Sequence, residues 1–261
     1  MHSPIPIESL SAFIEYVERN HPGDYPLFRG QPKGRKLLPP IGRASFVPRK
    51  GLAESERHML DEFRVTALPF LTFEPQNTLE WLAVAQHHGM STRLLDWTTN
   101  PLAALWFAIR SATNEDDAVD VWCFDSNERG MVSKRVTDKP LAVTCCHVYR
   151  PPHVSARIVR QSGWFTLHPM EADGTFRTLE ADKKYTTTLT RLRIPRRSFA
   201  DIRYSLDRYG AHEATFMPDL PGAAAYVDWC HRQLPDEQCT NDLKRRLTSV
   251  TSKRRTSSAN P

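Results

Sequence analysis

Arg29-Gly30 is the first residue pair in the chain that could bind a ligand. A guanidinium is a fixed fork of donors suited to phosphate or carboxylate, and the glycine beside it leaves little steric cover. The plainer alternative is a salt bridge from Arg29 to Asp96 or Glu213 that pins a strand. Gln31 adds an amide two residues on. A second group is Gln86-His87-His88, where an imidazole could move a proton. Adjacent helical residues point about 100° apart, so the two histidines should not both face one cleft. Ser91, Thr92, Arg93 and Asp96 form a third group around Leu94-Leu95. Alternation along an extended piece puts Thr92, Leu94 and Asp96 on one face and Arg93 on the other. Asp96 has apolar neighbours and must be paired; Arg29 is the partner expected.

The remaining polar groups are scattered. Arg160 and Gln161 stand just before a strand. Glu213 follows Gly210 and His212, where a carboxylate at the mouth of a late strand could orient a sugar hydroxyl or simply cap a turn. Cys145-Cys146 with His147, and Cys230-His231 with Cys239, lack paired zinc-ligand spacing, so no metal is expected. There is no phosphate-binding glycine loop, serine-centred elbow or paired-carboxylate motif.

Elements to position these groups follow from periodicity and punctuation. Leu10, Phe13, Ile14 and Val17 share one helical face, predicting a helix over Ile7 to Asn20. Tyr25 to Arg29 reads as a short strand cut by Gly30. The stretch Gln31 to Gly51, rich in Pro, Gly, Lys and Arg, reads as a loop that is mobile or shaped around a ligand. Helices are predicted over Glu54 to Ala67 and Thr78 to His88, the second with Thr78 as N-cap and Gly89 as a left-handed stop. Arg93 to Trp97 should be extended. Asn100-Pro101 should then cap an almost wholly apolar helix, Leu102 to Arg110, with Trp106 and Phe107 inside. Strands are expected at Val119 to Phe124, Leu141 to Tyr149, Trp164 to His168 and Tyr185 to Ile194. Further helices are expected at Val154 to Arg160, Arg197 to Tyr209 and Leu220 to Gln233. Without regular β-α alternation, the class expected is α+β: one mixed domain with N-terminal helices packed on a mainly antiparallel sheet.

Composition is that of a globular chain: 261 residues, 40% hydrophobic and 25% charged. No run approaches the ~20 apolar residues of a membrane span, and MHSPIPIESL lacks the features of a signal peptide. Five irregularly spaced cysteines suit a reducing compartment, so a cytoplasmic location is expected. The net charge of +5 is matched by the segment Asn241 to Pro261, which holds six bases against Asp242. The rest of the chain is neutral and makes no electrostatic case for a nucleic-acid groove. From about Cys239 periodicity stops, predicting a domain over 1–238 and a disordered basic tail over 239–261. Weak nucleic-acid contact is expected of that tail alone.

Three blocks carry a likeness to a known family. They are Leu27-Phe28-Arg29-Gly30-Gln31 with Leu38-Pro39-Pro40, then Ala85 to Ala108 around Gln86-His87-His88-Gly89 and Thr92-Arg93-Leu94-Leu95-Asp96-Trp97-Thr98, then Gln161-Ser162-Gly163-Trp164 with Phe216-Met217-Pro218-Asp219. Together they resemble the FRG-domain family, named for its Phe-Arg-Gly signature and found in bacterial and phage-associated proteins. The resemblance runs from about Leu10 to Asp228 and favours His87 over His88 as the functional histidine. It implies a polar pocket for a nucleotide-like or other anionic ligand, drawn from Arg29, Gln31, Gln86, Ser91, Arg93, Asp96, Arg160 and Gln161. By analogy with mono-ADP-ribosyltransferases, Arg29 would hold dinucleotide phosphates, Thr92 or Ser91 would brace the cleft and Glu213 would bind the nicotinamide ribose. Glu213, His87 and Thr92 are then the expected catalytic residues and NAD the expected substrate. The alternatives are a non-catalytic binding module using the same pocket, and a nucleic-acid-binding protein or nuclease led by the basic tail.

Overall fold

Ser9 decides where the first helix begins. Its backbone is extended and its hydroxyl accepts from the Ala12 N–H, so α1 spans Leu10–Asn20 and not Ile7 onward. The computed structural model describes residues 3–71, 73–126, 130–151 and 162–237. The other described helices are α2 (Leu52–Ala67), α3 (Thr78–His87), α4 (Pro101–Arg110), α5 (Lys134–Asp138), α6 (Phe199–Arg208), α7 (Glu213–Phe216) and α8 (Leu220–His231). The strands are β1 (Ile5–Pro6), β2 (Pro26–Pro32), β3 (Leu94–Thr98), β4 (Ala118–Asp125), β5 (His147–Tyr149), β6 (Gly163–Leu167) and β7 (Leu189–Pro195).

The seven described strands form one sheet in the order β1-β7-β4-β2-β3-β6-β5, antiparallel everywhere except at β1–β7. This is the expected α+β class. Alternation sorts the side chains. Phe28, Val121 and Leu192 meet α1, α4 and α6 in one apolar cluster. Leu27, Leu95, Trp97 and Trp122 belong to a second cluster, which Leu37, Leu179 and Tyr185 complete. A third joins α2 and α3 to Leu94, Phe165 and Leu167. No described helix is long and apolar enough to cross a membrane.

Several elements depart from the sequence reading, each for a local reason. Gly30 does not cut β2: the strand runs on to Pro32, paired with β4 throughout. The glycine is there for packing. A Cβ on it would lie 1.9 Å from the Ala104 carbonyl oxygen and 2.5 Å from the Ala108 nitrogen, because α4 rests directly on β2. Asn77 caps α3 in place of Thr78, its side chain accepting from the Glu80 N–H. Asn100 does cap α4, accepting from Leu102 and Ala103, with Pro101 in the first turn. Trp106 is buried, but Phe107 is only half-buried. The strand expected from Leu141 shrinks to β5, because Pro140–Ala142 forms a 3-10 turn. Residues 182–188 turn on themselves through Tyr185 N–H to Asp182 and Thr188 N–H to Tyr185, which delays β7 to Leu189. The helix expected at Val154 to Arg160 and the tail from Cys239 lie outside the described residues.

Candidate functional site

β2 and β3 are neighbours that share a single register pair, Phe28 opposite Thr98, while β2 continues against β4. Where the two part, a cleft of about 630 Å³ opens. β2 and the loop after it line it with Arg29, Gln31 and Arg35; β3 contributes Asp96; the end of α3 adds Gln86, His87 and His88; α4 adds Phe107. A volume in this range suits a small organic ligand.

Arg29 bridges the gap between the strands. Its Nη1 donates to the Asp96 backbone carbonyl at 2.7 Å and lies 3.6 Å from Asp96 Oδ2. Its Nε donates to Gln31 Oε1 at 3.2 Å, and Gln31 Nε2 donates to the Arg35 carbonyl at 2.5 Å. Gln31 is buried, so it both orients Arg29 and holds the loop that carries Arg35. Burial, reinforced by the positive charge of Arg35, holds Arg29 below the usual arginine range, although Asp96 pulls it back.

Arg43 brings a third guanidinium. It follows the turn Pro40–Gly42, which is tied to the β3 entry by Ile41 N–H on the Thr92 carbonyl. Its Nε donates to the Leu38 carbonyl, and its buried Nη2 has no hydrogen-bond partner among the described residues. Burial and then the charges of Arg29 and Arg35 push Arg43 down to about 10. The sequence reading missed Arg35 and Arg43, although the basic loop between Gln31 and Gly51 was the signal for both.

Asp96 is the carboxylate among these cations, its side chain 49% exposed. Gln86 Nε2 donates to its Oδ2 at 3.0 Å, and the Thr92 hydroxyl donates to Gln86 Oε1 at 2.9 Å. Thr92 is fully buried, one step behind the cleft wall. His87 is half-buried on the wall and His88 exposed beside it, their rings 5.0 Å apart edge to face. Both reach the cleft, contrary to the helical-angle argument, because the helix ends between them: His88 is the C-cap.

Three expected site residues stand elsewhere. Arg93 is buried against Glu56, with Nε to Oε1 at 2.8 Å and Nη2 on Oε2, and donates to the Leu141 carbonyl. It stands just before β3 and turns to α2, away from the cleft lining. Ser91 is half-buried and outside the cleft lining. Glu213 starts α7, not the mouth of a strand, and lines a separate cavity of about 310 Å³. α4 divides the two: Phe107 and Ser111 line the cleft, Ile109 and Arg110 the second cavity. There Arg110 Nε grips both Glu213 oxygens, at 3.1 and 2.9 Å. Arg160 and Gln161 lie outside the described residues. Among the described residues no three metal-ligating side chains converge. Cys145 lies near His147 and Cys146 near His168 as isolated pairs.

Residues 25–117 match the family described as the FRG domain. The match begins just before β2 and ends just before β4, and so contains the cleft-lining segments of β2, α3, β3 and α4. The chain carries an FRG domain, and its Phe-Arg-Gly triplet divides the labour. Phe28 is core, Arg29 lines the cleft, and Gly30 admits α4. The sheet extends past the match through β4 to β7. No curated protein and no solved structure matches the chain.

Proposed function

We propose that the cleft between β2 and β3 binds an anionic ligand of nucleotide-like size. One observation carries this reading: Arg29 and Arg35 line the cleft, Arg43 stands outside its lining but close enough to feel the charge of both, and Asp96 is the one carboxylate among the described lining residues. Such an excess of positive charge, desolvated at Arg29 and Arg43, is stabilised by an anion, and the guanidinium fork suits phosphate oxygens. Phe107 offers an aromatic edge for a base or other flat group at the same opening.

A binding role is better supported than the transferase mechanism. That chemistry needs its glutamate in the same cavity as the phosphate-binding arginine, and Glu213 is committed to Arg110 across α4. NAD remains a ligand of the right charge and size. Its turnover here would have to use Asp96 or His87.

Titration calorimetry with pyrophosphate, ADP and NAD tests the reading. Arg29→Gln should weaken all three at least tenfold, since it removes a charge-assisted contact. An unchanged affinity in that variant, or no binding by the native chain, overturns the proposal. Release of nicotinamide during incubation with NAD would add turnover to binding.

A further inference from the structure

The hydrogen bonds behind Asp96 have a direction. The Leu94 N–H donates to the Thr92 hydroxyl oxygen at 3.1 Å. A backbone N–H can only donate, so the Thr92 proton is left to go outward, to Gln86 Oε1 at 2.9 Å. That fixes the amide of Gln86, whose Nε2 then faces Asp96 Oδ2 as a donor at 3.0 Å. The chain of bonds ends with a carboxylate held as an acceptor. Among the described residues no protein group hydrogen-bonds Oδ1 of Asp96, and half of the side chain is open to the cleft.

We infer that Asp96 accepts a hydroxyl next to the ligand's phosphate, so the ligand class is a ribose phosphate ester such as a nucleoside diphosphate. The inference rests on the anion-binding reading and adds its second half: cations for the phosphate, a fixed acceptor for the sugar. The sugar-binding role expected of Glu213 passes to Asp96. A ligand bearing only anionic groups would meet Asp96 as a repelling charge, whereas one with a hydroxyl beside its phosphate turns that carboxylate into a partner. Thr92 and Gln86 are positioning residues. Gln86 lines the cleft beside Asp96 and Thr92 stands behind it, and together they hold the carboxylate in place.

Calorimetry on the full chain with pyrophosphate, ADP and 2′,3′-dideoxy-ADP reads this directly. The native chain should bind ADP at least tenfold more tightly than the dideoxy compound, the size of a hydrogen bond to a charged group. Thr92→Val removes the hydroxyl that anchors Gln86 Oε1, so Asp96 loses its fixed position and the ratio should collapse; Thr92→Ser keeps the hydroxyl and should restore it. Should Thr92→Val fail to fold, Asp96→Asn at a half-exposed position gives the same reading. It should lose the ratio while binding pyrophosphate more tightly, because a negative charge has gone. Equal affinities for ADP and its dideoxy analogue, with pyrophosphate still bound, overturn the hydroxyl assignment and leave the anion site standing. Failure to bind pyrophosphate or ADP overturns both.

Discussion

Arg93 and Glu56 are 3% and 2% exposed, whereas Arg29 and Asp96 are 14% and 49% exposed. The same pair of charges therefore does different work in the two places. Glu56→Ala strands a buried guanidinium, and stability should fall by about 3–5 kcal/mol in denaturant unfolding. Asp96→Ala removes a water-facing partner and should cost under about 1 kcal/mol, with its effect falling on ligand binding. Alternation in β3 was legible from the sequence, and so was the Arg29–Asp96 pairing. The partner of Arg93 was not, because Glu56 sits 37 residues earlier on a helix whose polar face gives no sign of burial. The separation of Glu213 from the cleft was equally hidden. It depends on where α4 lies, and spacing along the chain does not record that.

At the scale of elements, α4 is the part on which most depends. It rests on Gly30, forms the wall between the two cavities, and its Trp106 ring lies 4.8 Å from Phe107 and 5.3 Å from Phe216. Its cap and apolar character were plain in Asn100-Pro101 and the run that follows, because both are local signals. Its closeness to β2 was not, and Gly30 was mistaken for a strand breaker, since a bare glycine marks a close approach only when the neighbour is known. Gly30→Ala should push α4 off the sheet. A loss of about 1–3 kcal/mol is expected from overpacking, together with weaker ligand binding as the cleft wall moves. Trp106→Ala, by contrast, empties a buried site and should cost about 3–5 kcal/mol. A loss below about 1 kcal/mol for either variant in urea melts would mean that α4 packs loosely.

For the whole molecule, His168 ties stability to pH. It is fully buried, takes Thr166 Oγ1 at 2.9 Å, and follows β6, with its backbone N–H on the Arg93 carbonyl. Burial is the main cause that pushes its imidazole down to about 4, and the positive charges of Arg29 and Arg93 act in the same direction against Asp182 and a backbone hydrogen bond to Arg177. In the unfolded chain the same imidazole titrates near 6.5. Between about pH 6.5 and 4 the unfolded state therefore binds a proton that the folded state refuses. Stability must fall as pH drops through that window, and it is held in full above it. The shift corresponds to about 3 kcal/mol by the lower end. Carboxylates titrate in the same range, so the measurement is a difference. Urea unfolding of the native chain and of His168→Gln is followed from pH 7.5 to 4.5. The native chain should lose more stability than the variant across that range, and parallel profiles would show that His168 accepts its proton without unfolding the protein.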